Sequence, residues 1–186
     1  MQEVIRRTRP DGFSDNSWSG LRRDAMCHCA NCRDAFFAYA KLDLPRRRDW
    51  TDESYRQWIN WNYQRRNELW DLNNRVTTEA GGEECLWLGM ISGDALNNCS
   101  RFIDLRDIMS RSKIVMLDHQ RRSGTDGFDQ NTEAGKRLHE MVGWDVLIPE
   151  STPQYQLGAP VFRQASMPVA EVRLLTSSAF AGGIQP

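Results

Sequence analysis

The sequence of 186 residues predicts an α/β fold on a parallel sheet, and within that class a partial (β/α)8 TIM barrel, about strand 4 to the start of strand 8. Three observations predict it. The runs "CLWLGMI" (85–91), "KIVMLDH" (113–119) and "WDVLIPE" (144–150) are almost continuously apolar, as strands covered on both faces are. Their starts recur at about the 30-residue spacing of a βαβ unit, with helical patterns between them. No Gly-rich phosphate fingerprint follows any of them, so a nucleotide-binding open sheet loses weight against a barrel. A complete barrel takes about 250 residues. Four strands and the ending "AGGIQP" therefore read as one incomplete barrel domain over 1–186, cut at both ends.

The elements follow in order. The first strand is "DGFSD" (11–15), entered from Pro10. The interval to the next strand is too long for one crossover helix. Its excess, residues 16–50, reads as an insertion in the loop after the first visible strand, and it carries a cysteine cluster. A long helix then spans about 52–80. Tyr55, Trp58, Ile59, Asn62, Leu69, Leu72 and Val76 fall near one face at a 3.6-residue period. Thr51 suits its cap, Asp52 and Glu53 suit its positive end, and Gly81 and Gly82 end it. Trp58, Trp61 and Trp70 read as packing residues. Shorter helices are predicted over 104–111 and over 132–142, the second stopped by Gly143. A last helix starts near Pro168, carries Val169, Val172, Leu175 and Ala179, and stops at Gly182 and Gly183.

Composition excludes several classes. Net charge is −1 and the basic residues are dispersed, so the run Arg46, Arg47, Arg48 reads as a solvated loop and nucleic acid is not an expected partner. No apolar run approaches the roughly 18 residues of a membrane helix, and the start "MQEVIRRTRPDGF" has no apolar signal region. Five unevenly spaced cysteines do not form a disulfide framework. A reducing, cytoplasmic setting fits them better.

In a barrel, chemistry gathers where strands end and loops begin. Those positions hold Asp15, Asn16 and Trp18; then Ser92, Asp94 and Asn97; then Asp118, His119, Gln120 and Arg121; then Glu150 and Tyr155. Acids, amides and aromatics on one rim suit a carbohydrate, whose hydroxyls need polar partners and whose ring faces need apolar cover. Glycosidic hydrolysis takes two carboxyl groups, one as nucleophile or base and one as acid. Asp15 and Glu150 are the first pair to consider, with Asp118 as the rival acid. Asn16, Trp18, His119, Gln120 and Arg121 are the candidate substrate-binding residues. Each has a plainer alternative. Asp15 caps a turn with Asn16 and Ser17, Glu150 is surface, Asp118 orients Arg121 or Arg122, and Trp18 packs under the insertion.

"MCHCANCR" supplies three thiols, Cys27, Cys29 and Cys32, in the pattern C-x-C-x-x-C before the helical run "RDAFFAYAKL". Structural zinc takes four ligands, commonly thiolates. The cluster is therefore a candidate structural zinc site lacking one ligand, against three unligated loop thiols. His28 is poorly placed to close the same tetrahedron, and Cys85 and Cys99 read as core or loop thiols. No organic cofactor is expected.

"CHCANCRDAF" resembles the zinc-cluster segment of the trimeric β-galactosidases of glycoside hydrolase family 42. With "RPDGFSDNSW", "YRQWINWNYQRRNELWDLN", "CLWLGMISG", "IVMLDHQRR" and "PVAEVRLLTSSAFAGGIQP", in order over most of the chain, it resembles the barrel family named hypothetical glycosyl hydrolase 6, which is related to those enzymes and distantly to α-L-fucosidases. The resemblance implies a glycoside hydrolase with a two-carboxylate mechanism, possible self-association of the full-length protein, and a fourth cysteine ligand lying before Met1. In α-L-fucosidases an aspartate ending a strand "W-F-D-G" is the nucleophile. Asp15 in "FSDN" takes a similar place, with Ser14 for the aromatic residue and Asn16 for the glycine. In family 42 two glutamates follow strands four and seven. Glu150 matches the second position, and no glutamate matches the first.

The expected function is glycoside hydrolysis by the full enzyme, with this piece inactive alone. The alternatives are a non-catalytic glycan-binding barrel and a zinc-stabilised interaction module, which would expose Phe36, Phe37 and Tyr39 on the insertion.

Overall fold

The computed structural model describes residues 1–14, 22–118, 127–143, 147–150, 154–157 and 162–184. Helix α1 (Gln2–Thr8) leads to a short strand β1 (Gly12–Phe13). Helices α2 (Ala30–Ala40) and α3 (Glu53–Gly81) follow. Strands β2 (Leu86–Trp87) and β3 (Gly89–Ser92) come next, then α4 (Ala95–Ser100), α5 (Leu105–Met109) and β4 (Val115–Asp118). The chain continues through α6 (Gln130–Val142), β5 (Leu147–Glu150), β6 (Gln154–Leu157), β7 (Phe162–Ser166) and α7 (Val169–Ala181).

The runs read as strands do form strands, and β1 with β2, and β3 with β4 and β5, pair in parallel. The partial TIM barrel predicted from them is not what they build. Among the described residues helix outweighs strand, and the parallel pairs fall into one sheet of two strands and one of three. The break lies at Leu88, between β2 and β3. Past β5, the chain pairs β6 with β7 antiparallel. The spacing of apolar runs encodes local β-α-β alternation, whereas closing a barrel requires one unbroken, staggered ladder. The hairpin β6–β7, α1 and α4 were not predicted.

Helix α3 dominates the fold. Its 29 residues make a rod about 43 Å long. Asp52, rather than Thr51, caps it, accepting the Ser54 N–H at 2.9 Å. Its apolar face also shifts from the predicted one. Tyr55, Trp58, Ile59, Trp61, Trp70 and Thr77 are buried, while Leu69 and Leu72 are 37% and 39% exposed. A single stripe cannot serve the whole rod, because α2 packs on it and so do α1, β2 and α5.

Two cores result. One is aromatic: Phe36 of α2, Tyr55, Trp58 and Trp61 of α3, and Phe102. The other is mainly aliphatic and holds the strands: Ile91, Val115, Leu117 and Leu147 with Ile108 and Ile184. Gly89 on β3 lies so close to the Trp70 and Trp87 indoles that a methyl group there would collide with both.

Candidate functional site

The thiol cluster forms at the start of α2. Cys29 is the N-cap, in extended backbone, and Cys32 lies in the first turn. The Sγ atoms of Cys27, Cys29 and Cys32 all lie within 4.8 Å of one another. Thiolates sharing one tetrahedral zinc at Zn–S of about 2.3 Å stand roughly 3.8 Å apart. The three thiols could therefore hold a metal ion after a small adjustment. They are free of disulfides, with Cys29 exposed and Cys27 and Cys32 half-buried. The Cys32 backbone N–H and the Cys27 and Cys32 thiols lower the Cys29 thiol below its ordinary value. Burial, with the neighbouring thiols adding, pushes Cys32 up to about 11. Cys29 thus ionises before Cys32, from which a metal ion must displace the proton. His28 is exposed and outside the cluster. Cys85 is buried and Cys99 is exposed on α4, apart from the three.

Beneath the thiols lies a pocket of about 250 Å³, walled by Cys27, Cys32, Trp58, Trp61 and Phe102. Trp58 meets Phe102 edge-on at 5.3 Å, and Phe36 meets Trp61 at 5.5 Å. Of the three aromatics expected to be exposed on the insertion, Phe36 is fully buried, while Phe37 and Tyr39 are 53% and 40% exposed.

The strand ends form a second place of interest. Ser92, Asp118 and Glu150 close β3, β4 and β5, and they occupy one register row: Ser92 pairs with Asp118, and Asp118 with Glu150. Asp118 is half-buried. Asn98, 1% exposed, pins this edge, donating to the Ser92 carbonyl and accepting the Ser92 N–H, both at 2.8 Å. Its amide completes the hydrogen bonding of Ser92 as another strand would. Asp94, one of the strand-end polar residues, accepts the Leu96 N–H and caps α4.

Helix α4 ends in a Schellman turn. Ile103 N–H reaches Asn98 O at 3.0 Å and Phe102 N–H reaches Cys99 O at 3.2 Å. The left-handed position, usually glycine, is Phe102 at φ 58°. The ring is needed there: it contacts Trp58 and Tyr63 in the aromatic core. One residue earlier, Arg101 faces two charges. Burial lowers its pKa, the Arg22 charge lowers it further, and Asp118 opposes both.

Asp15, Asn16, Trp18, His119, Gln120 and Arg121 lie outside the described residues. Glu150 is placed by its backbone at the end of β5. Tyr155 falls on β6. The structure thus brings Asp118 and Glu150 into one row with Ser92. Sequence reasoning missed Asn98 and Arg101, which become legible once Asp94 is recognised as a helix cap and the following turn is counted. No helix among the described residues is long and apolar enough to cross a membrane. No family model, curated protein or solved structure matches the chain.

Proposed function

We propose that this protein is a glycoside hydrolase whose carboxyl pair is Asp118 and Glu150, and that Cys27, Cys29 and Cys32 hold a structural zinc ion. The observation that carries the reading is the register row at the C-terminal ends of three parallel strands. Ligands of α/β sheets bind at that end. Neighbouring strands stand about 4.8 Å apart, and retaining glycosidases keep their two carboxyl groups about 5–5.5 Å apart. A backbone spacing of that order between the two residues supports the reading. The motif resemblance supports the same class. Asp15 is a further carboxylate for this bond, and Asn16, Trp18, His119, Gln120 and Arg121 are the residues proposed to bind the sugar. With a fourth cysteine closing the tetrahedron, as the resemblance implies, the zinc would serve structure, since no position would remain for a reacting water.

The test is hydrolysis of activated aryl glycosides by the full-length protein that carries this chain and by its variants Asp118→Asn, Glu150→Gln and Asp15→Asn. Loss of an acting acid or base lowers turnover by about 10²–10⁴-fold, with the circular dichroism spectrum unchanged. Hydrolysis undiminished in both Asp118→Asn and Glu150→Gln, or no hydrolysis of any glycoside, overturns the reading. The exposed Phe37 and Tyr39 on α2, the helix that the thiols open, favour a second reading, a zinc-stabilised interaction surface. That reading requires capture of a protein partner to depend on zinc and on Phe37, with the carboxylates dispensable.

A further inference from the structure

An aromatic wall and two positive charges meet at the pocket beneath the thiols. Trp58, Trp61, Arg65 and Leu69 follow one another along α3 at steps of three or four residues, so one side of the helix brings all four to the pocket. Arg66 lines it as well. Phe102, in its left-handed turn after α4, faces it from outside the helix. The wall is mostly apolar, and the residues that form it are all described ones. Its charged side chains are Arg65 and Arg66, and it contains no aspartate or glutamate.

The two guanidiniums are held in different ways. Arg65 is exposed, and its Cζ lies over the Trp61 ring, 4.9 Å from the centroid. A guanidinium on a ring face keeps its donors in its own plane, where two of them can grip a planar anion. Arg66 is half-buried, and its Nε donates to the Arg101 carbonyl at 3.2 Å. That bond anchors the side chain and uses one of five donors. Burial, and then the Arg101 charge, lower the Arg66 pKa. Its charge is thus partly out of water, where an anion interacts with it more strongly than in solvent.

We infer that this pocket is a binding site for a small aromatic carboxylate, with the ring against Trp58, Trp61 and Phe102 and the carboxylate on Arg65 and Arg66. Its volume of about 250 Å³ lies just below the roughly 300 Å³ at which drug-sized sites begin, which suits a single ring. Aromatic walls favour a flat ring through edge-on and offset contacts. The hydroxyls of a sugar would lose water against such a wall without gaining partners. The site is therefore separate in chemistry, as in place, from the strand-end row.

The test is isothermal titration of the zinc-loaded full-length protein that carries this chain with benzoate, and with benzamide and cyclohexanecarboxylate for comparison. Benzoate is expected to bind about tenfold tighter than benzamide, which has its shape without its charge. It is expected to bind about threefold tighter than cyclohexanecarboxylate, which has the charge without the aromatic face. In Arg65→Gln the preference for benzoate over benzamide falls toward one, and Arg65→Lys retains part of it. Arg65 is exposed, so these variants keep the fold, checked by circular dichroism. Leu69→Trp, which puts an indole into the pocket, removes benzoate binding and leaves zinc binding in place. Benzamide binding as tightly as benzoate overturns the inference, as does no binding of benzoate. A preference unmoved in Arg65→Gln overturns it too, because the carboxylate then sits elsewhere, for instance on the zinc ion. Cyclohexanecarboxylate binding as tightly as benzoate overturns the aromatic assignment. The inference does not rest on the hydrolase reading, and none of these outcomes bears on hydrolysis.

Discussion

The thiol cluster and the strand-end row are built in opposite ways. Cys27, Cys29 and Cys32 lie within six consecutive residues and share one loop and the first turn of α2. Ser92, Asp118 and Glu150 lie on three strands separated by helices, and only the register brings them together. The first assembly depends on short-range turns and a docking surface. The second depends on the aliphatic core holding three strands in one alignment. A fault in the aromatic core should therefore damage the thiol site, and a fault around Asn98 should damage the row.

The sharpest way to break that separation is to remove metal or a ligand. With zinc bound, addition of a chelator should lower the thermal midpoint markedly, because metal binding that requires a folded site adds to folding stability. Cys32→Ser should abolish stoichiometric zinc binding, measured with a chromophoric competitor, while leaving saccharide binding intact. The affinity should climb as pH rises. Each thiol must lose its proton to bind, and with Cys32 raised to about 11 it is still protonated at neutral pH. Falling pH therefore adds competing protons and releases the ion. Zinc affinity independent of pH between slightly acid and slightly alkaline buffer would mean the thiols are not the ligands.

Truncation at the floor of the thiol site comes next. Trp58→Ala removes a ring that is 2% exposed and should cost about 3–5 kcal/mol in urea unfolding, weakening zinc binding through the loosened α2. The matching change in the other region is Asn98→Ala. It strips Ser92 of both side-chain hydrogen bonds and should cost about 2–3 kcal/mol. Saccharide binding should suffer and zinc binding should not. Zinc binding lost in Asn98→Ala would show the two regions to be one coupled unit.

Phe102 sits where the regions meet. Phe102→Ala loses the ring and keeps the left-handed backbone, whereas Phe102→Gly loses the ring and relieves that backbone. The glycine variant should be the more stable by about 1 kcal/mol, read from paired denaturation midpoints. Equal stabilities would mean that the position carries no backbone cost. The smallest effect is expected at Asp49. The Thr51 hydroxyl, then its backbone N–H, lower this carboxyl. Its stabilising contribution is present above the unfolded carboxyl pKa and disappears as pH falls through the lowered folded value. Asp49→Ala should therefore differ slightly from the parent at neutral pH and converge with it in strong acid.

Much was legible where the physics is local. Gly143 and Gly82 end α6 and α3 at φ 79° and 92°, as glycines after a periodic run announce. Pro168 opens α7. The spacing C-x-C-x-x-C marked the thiol cluster because three soft donors in one turn have few other uses. The buried face of α3 was misread beyond Trp61, because periodicity shows that a stripe exists and not which neighbours will cover it. Arg22 and Arg101 gave no signal, since nothing in the order of residues says that two arginines 79 positions apart will share one amide oxygen.

The sequence by itself determined the alternation of helices and strands, the parallel pairing implied by apolar runs joined through helices, and the grouping of three thiols. Each follows from interactions over a few residues or one crossover. Only the tertiary structure decided that the strands form two short parallel sheets and a separate antiparallel pair instead of a barrel, that Asp118 and Glu150 share a row, and that an aromatic floor underlies the cysteines. Those outcomes depend on which distant surfaces meet, and that is settled by the packing of whole elements, in which no single segment contains the answer.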